Sequence, residues 1–168
     1  MKTEITESEL VELKGNSDVE VKKSSEKKTR RRQQRQCVVE CLYMWEMQPE
    51  LSVETLFKRY CEERCDEVGA DILGADFVLQ TFQGVVNYKE HIDDLIRDHA
   101  KNWSFQRIAK VDLAILRLAL YELLFCRNTP TPVVINEAIE LSKSYSSEDS
   151  KRFINGMLDR LAKERDGI

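Results

Sequence analysis

The chain has 168 residues, 42% of them hydrophobic and 33% charged, which allows one packed core beneath a strongly charged surface. Six glycines and three prolines are too few for the many turns of an all-β fold. The net charge of -4 hides an asymmetry: residues 1–21 carry two basic and six acidic groups, residues 22–35 eight basic groups against Glu26 alone, and the rest is acidic.

Residues 1–28 read as a disordered charged extension, rich in Glu, Lys and Ser and without an aromatic residue, so they bury too little apolar surface to offset the entropy of ordering. A folded domain over 29–165 and a short tail, 166–168, complete the division. From Arg30 the apolar period is helical. Val38, Cys41, Leu42 and Trp45 share one face of a first helix that ends before Pro49. Ser52 is the N-cap expected for a second, with Val53, Leu56, Phe57, Tyr60 and Cys61 inward. A third runs from about Ala75 to Asn87, and a fourth carries Ile92, Leu95, Ile96 and His99 on one face.

A helical turn near Phe105–Ile108 leads into the most apolar helix, about Val111–Cys126. Arg127–Pro132, with two prolines, is the clearest breaker. A sixth helix is expected from near Val133 to Tyr145, and Ser147 with Glu148 and Asp149 marks the start of the last. The fold is therefore all-α, with about seven short helices. Asp112, Arg117 and Glu122 on the central helix are spaced by five residues, about 140° of rotation, so they point to different sides. That helix is expected to be surrounded by others, with its charges paired internally.

The apolar stretch at 111–126 is broken by charges and shorter than the roughly 20 apolar residues a spanning helix needs. The N-terminus has no apolar signal core, and five cysteines are an odd number, so a cytoplasmic protein with reduced thiols is expected. No glycine-rich phosphate loop or nucleophile elbow is present, which predicts neither enzyme activity, cofactor nor small-molecule substrate. The two histidines, His91 and His99, have no spaced metal partner; His99 falls on an apolar face as a satisfied core residue. Cys37 with Cys41 and Cys61 with Cys65 have helical i, i+4 spacing that zinc can use, but Cys41 and Cys61 lie within apolar stripes, where small buried thiols are the simpler account.

The first helix carries the functional signal. Arg32, Gln36, Val39 and Tyr43 form one stripe with Arg35 beside it, and Tyr43 sits roughly 150° from the centre of the core face. Arginine and glutamine suit phosphates and base edges, and an exposed ring offers a base a stacking surface, as single-stranded RNA requires. A surface tyrosine resting on neighbouring side-chain stems gives the same pattern. Phe153, about 90° from the core direction of the last helix, reads either as a second platform or as a boundary core residue. Gly156 sits inside the same helix at a cost of about 1 kcal/mol against alanine, which the close approach of another helix would justify.

The segments VDLAILRLALYELL (111–124), INEAIELSKSY (135–145) and FINGMLDRL (153–161) resemble the NusB family in order and spacing. RRRQQRQCVVECLYMWEM (30–47) is similar to that family's arginine-rich first helix, and FQGVV (82–86) matches weakly. The resemblance spans roughly Arg30 to Lys163. It implies two packed three-helix bundles with an extra helix, and an antitermination factor. Such a factor pairs with NusE, a small-subunit ribosomal protein, binds the boxA element of nascent ribosomal RNA and works with transcribing RNA polymerase. It further implies that Arg31, Arg32 and Arg35 contact RNA, that Tyr43 and Phe153 are RNA-facing rings, and that Asp112 and Asp149 are acidic positions at or near that surface. Gln33 departs from members with a further arginine there, and the 28-residue extension is atypical.

Three other readings compete. Similar domains head ribosomal RNA cytosine methyltransferases, which requires this sequence to be a piece of a longer protein. A helix-turn-helix protein would lay the first helix in a DNA groove, but the basic residues cluster at one end beside an acidic body. A helical protein-interaction module without RNA binding is the third.

Overall fold

The computed structural model describes the backbone of residues 7–74, 76–100 and 102–167, and side chains from Glu20 onward. Eight α-helices follow in chain order: α1 (Glu7–Met47), α2 (Val53–Val68), α3 (Ala70–Leu73), α4 (Asp76–Asn87), α5 (Lys89–His99), α6 (Lys110–Phe125), α7 (Thr131–Tyr145) and α8 (Glu148–Asp166), with a 3-10 turn at Phe105–Arg107 before α6. No strand occurs among the described residues.

The N-terminal extension continues α1 in helical geometry back to Glu7, while residues 1–6 lie outside the described part. Every residue from Glu20 to Arg31 is exposed, so this stretch adds nothing to the core, as its composition implies. Burial begins at Gln34 and continues through Cys37, Val38, Val39, Cys41 and Leu42.

Local signals set the element ends. The Ser52 hydroxyl accepts the Thr55 amide and the Ser147 hydroxyl accepts the Ser150 amide, each satisfying a donor the first helical turn leaves unpaired. Gly69, at φ +95, takes the backbone out of α2 and into α3, a turn of four residues that periodicity is too short to reveal. α7 starts at Thr131, two residues earlier than the breaker suggests, because Pro132 stands in the first turn, where its missing N–H is not needed. The expected first residue of the third helix, Ala75, lies outside the described residues, as does Ile168 of the tail.

Packing organises the helices into two three-helix bundles, α1 with α2 and α4, and α6 with α7 and α8, joined along α1 and α6, with α5 resting on α6 and α8. α6 is the central rod: all residues from Asp112 to Leu120 are buried. Its charges are matched by neighbours on different sides, as their rotation requires. Arg117 pairs with Asp93 of α5 through two bonds of 2.8 and 2.9 Å and with Glu46 of α1 at 2.7 Å. Burial works against the charged form of Arg117, but these carboxylates outweigh it and raise its pKa. Among the described residues no helix is long and apolar enough to cross a membrane.

Candidate nucleic-acid interface

The ion pairs fix the helix directions. Arg35 meets Glu122 and Lys110 meets Glu46, so α1 and α6 run antiparallel. Arg32 meets Glu137 and Glu40 meets Tyr145, so α1 and α7 run parallel. The end of α1, the start of α6, the end of α7 and hence the start of α8 therefore meet at one end of the molecule. Tyr43, Asp112, Asp149 and Phe153 all belong to that end. Arg32 lies eleven residues before Tyr43, about 16 Å along the helix axis, so the arginines and the rings mark the two ends of a track.

Tyr43 is 43% exposed. It stands at the rim of a groove of about 460 Å³ floored by Val39, Met44 and Val111. At the back of the groove Glu40 accepts the hydroxyls of Tyr60 at 2.6 Å and Tyr145 at 2.8 Å. Burial first, and then the bond to this carboxylate, joined at Tyr60 by the neighbouring Cys37 thiol, hold both phenols above their ordinary pKa, so they stay protonated donors.

The stripe on α1 is only partly exposed. Gln36 is exposed, but Val39 is buried at the floor of the groove, so it belongs to the core rather than to an outward stripe. Arg31 is exposed and its guanidinium lies 3.8 Å over the Phe77 ring. Arg32 makes two bonds of 2.9 Å to Glu137, and its side chain remains 39% exposed. Those bonds raise the Arg32 pKa and lower that of Glu137, keeping both charged.

Arg35 differs from the sequence reading. It is buried and held by the equally buried Glu122 at 3.0–3.1 Å. Its position on α1 is closer to the core direction than to Tyr43, and the acidic group of α6 requires a counter-charge there. Asp112 is also internal: buried in the first turn of α6, it accepts the Ser146 hydroxyl and so fastens the end of α7. Asp149 is fully at the surface, 3.8 Å from Arg152.

Phe153 is half-buried, with its ring centroid 5.2 Å from that of Trp103. Trp103, half-exposed in the loop after α5, escaped the sequence reading. The available signal was a large aromatic between polar residues in the Asn-Trp-Ser segment. Gly156 lines the cavity beside this pair, and a Cβ there would meet nothing within 4 Å. No helix approaches it, contrary to the expectation from its position, so its helix-interior cost of about 1 kcal/mol relative to alanine has no packing cause.

His99 is satisfied on both sides, one ring nitrogen by the Leu95 carbonyl at 2.7 Å and the other by Glu164 at 2.6 Å. Cys37 and Cys41 are buried, Cys61 half-buried and Cys65 exposed, and burial raises the thiol pKa of the first three. Among the described residues no group of three or more His, Cys, Asp or Glu side chains is placed to hold a metal.

The family model described as the NusB family matches residues 32–163. The transcription antitermination protein NusB of Methylacidiphilum infernorum is 36% identical over 134 residues, covering 80% of this chain and 91% of that protein. That of Carboxydothermus hydrogenoformans is 38% identical over 132 residues, 79% of this chain and 92% of that protein. The solved structure of T. maritima NusB is similar at TM-score 0.68 and 39% identity, covering 80% of this chain and 91% of that one. A second similar structure contains the antitermination factors NusB and NusE in complex with double-stranded RNA; the match has TM-score 0.70 at 26% identity, with 81% of this chain and 98% of that one covered.

Proposed function

The chain belongs to the NusB family, and on that premise we propose that it is a transcription antitermination factor, a non-catalytic adaptor that joins boxA RNA, NusE and transcribing RNA polymerase. The observation that carries this reading is the likeness, across 81% of the chain, to a NusB bound to NusE and RNA. The reading places the work in the cytoplasm, where nascent transcripts are made. Residues 1–28 are an added arm, 29–165 the RNA-binding domain and 166–168 a tail.

The RNA track runs from Arg31 and Arg32 to Tyr43, Asp149 and Phe153. The exposed arginine atoms hold phosphates, and the rings at the far end stack on unpaired bases. Arg35 and Asp112 serve it from inside. The first fixes α1 against α6 through Glu122, and the second fixes the end of α7 through Ser146. Both set where Tyr43 and the start of α8 stand.

Fluorescence anisotropy of a labelled single-stranded boxA-type RNA, with and without NusE and against a scrambled RNA and duplex DNA, tests the reading. NusE-enhanced binding with a boxA preference is expected, weakened roughly tenfold or more by Tyr43→Asp, since one stacked base is worth about 1–3 kcal/mol. Equal, salt-sensitive binding to every polyanion would reject an adaptor that selects its RNA.

A further inference from the structure

We propose that the cavity between α8 and the loop after α5 is a seat for one unstacked RNA base, with Trp103 as its stacking platform and Arg152 and Arg160 flanking its phosphate. The proposal rests on the RNA-binding reading above and extends it to a site around Phe153 that has its own floor and walls.

The cavity measures about 310 Å³ and is lined by Asn102, Trp103, Arg152, Phe153, Gly156 and Arg160, among others. That is the small end of the range for ligand pockets, a volume for a single base rather than a length of chain. Trp103 lies against Phe153 at a tilt of 38° yet stays 50% exposed. A ring already held by another ring loses little freedom when a base covers its open side. The floor is bare backbone: Gly156 adds no side chain, and packing between helices gives no reason for its being glycine.

The charges agree with the rings. In a chain of net charge -4, the cavity is lined by two arginines and by no carboxylate among the described residues. Arg160 is pinned there by its bond to the His99 carbonyl at 3.1 Å. Arg152 lies 3.8 Å from Asp149, but both side chains are more than four-fifths exposed, so this pair is weak and leaves the guanidinium open to a phosphate. An aromatic platform, two guanidinium groups and an uncovered backbone match a base with its own phosphate. An apolar protein side chain would use the rings but not the paired positive charge.

The test uses the full chain with Trp45→Phe, which leaves Trp103 as its one tryptophan, titrated with single-stranded boxA-type RNA in the presence of NusE. Saturable quenching of the Trp103 emission is expected. Trp103→Ala and Gly156→Leu, each in the otherwise unsubstituted chain, are expected to weaken RNA binding about tenfold while helix content and NusE binding hold. Leucine at 156 has room for its Cβ and fills the seat rather than breaking the helix. Unquenched emission with full RNA affinity in both variants overturns the seat and leaves the RNA-binding reading standing. Absence of RNA binding by the unsubstituted chain with NusE overturns both. Loss of NusE affinity with RNA affinity kept would make the cavity a protein contact and also overturn the proposal.

Discussion

Two glycines inside helices show how a residue's surroundings decide its effect. A Cβ at Gly84 of α4 would stand 2.2 Å from the Tyr121 hydroxyl oxygen and 2.4 Å from its ring. Tyr121 is hindered from yielding by its neighbours, because its ring lies beside the stacked Tyr88–Phe125 pair, 5.4 Å from the Phe125 centroid and 6.3 Å from that of Tyr88. Overpacking of this kind costs about 1–3 kcal/mol, more than alanine gains in helix propensity. Gly84→Ala is therefore expected to destabilise, whereas Gly156→Ala, with open space around it, is expected to stabilise by about 1 kcal/mol. Denaturant unfolding of the two variants measures both signs, and a stabilising Gly84→Ala would mean that Tyr121 swings freely. Sequence marks both glycines as unfavourable within helices but is silent on their neighbours, which is why Gly156 invited the wrong packing argument.

Among the elements, α6 shows what periodicity conveys and what it omits. Charges five residues apart on an apolar helix indicate a rod surrounded by partners, and all three are buried and engaged. Which partners they meet depends on helix directions that no local pattern contains, so Arg35 could be read as a surface arginine when it is the counter-charge of Glu122. Removing one member of such a buried pair strands the other, so Arg35→Ala is expected to cost about 3–5 kcal/mol of stability. Arg35→Met with Glu122→Leu is expected to be near neutral or stabilising, and to bind RNA as before when both chains are folded. Thermal or urea unfolding beside anisotropy separates the two effects; a stable double variant with lost RNA affinity would restore Arg35 as a direct contact. The Arg32–Glu137 pair adds a pH dependence. The Arg32 hydrogen bond holds the Glu137 pKa below its unfolded value of about 4.3. Its contribution is complete above that value and is lost as pH falls through the lower folded pKa. Glu137→Gln is expected to reduce stability at neutral pH and to converge on the parent as pH falls through the lowered folded pKa of Glu137; a deficit that persists unchanged in acid would assign it to packing.

At the scale of the whole molecule, the helices from α1 to α8 were legible from period, caps and breakers, apart from α3, which is too short for a period and depends on the φ of Gly69, and apart from the part of α1 before Arg30, which has no apolar period and reads from sequence as a disordered extension. The aromatic end of the interface was legible in part. Tyr43 and Phe153 stand where rotation about their helices places them, while Trp103 belongs to a loop whose position only the folded chain fixes. The division into an acidic body and a basic arm is a property of the sequence that folding does not alter. Lys22, Lys23, Lys27 and Lys28 are all exposed on the N-terminal part of α1. They can join the track only through long-range attraction to phosphates, which carries no base preference. Replacing the four by glutamine is therefore expected to make the dependence of log affinity on log salt shallower by up to about 3, at roughly 0.7 per phosphate of a single strand. The ratio of boxA to scrambled RNA affinity is expected to stay the same. Anisotropy titrations across a salt series measure both quantities. An unchanged slope would make the arm a solubilising tail, and a fallen ratio would place base recognition on the arm itself, away from Tyr43 and Phe153.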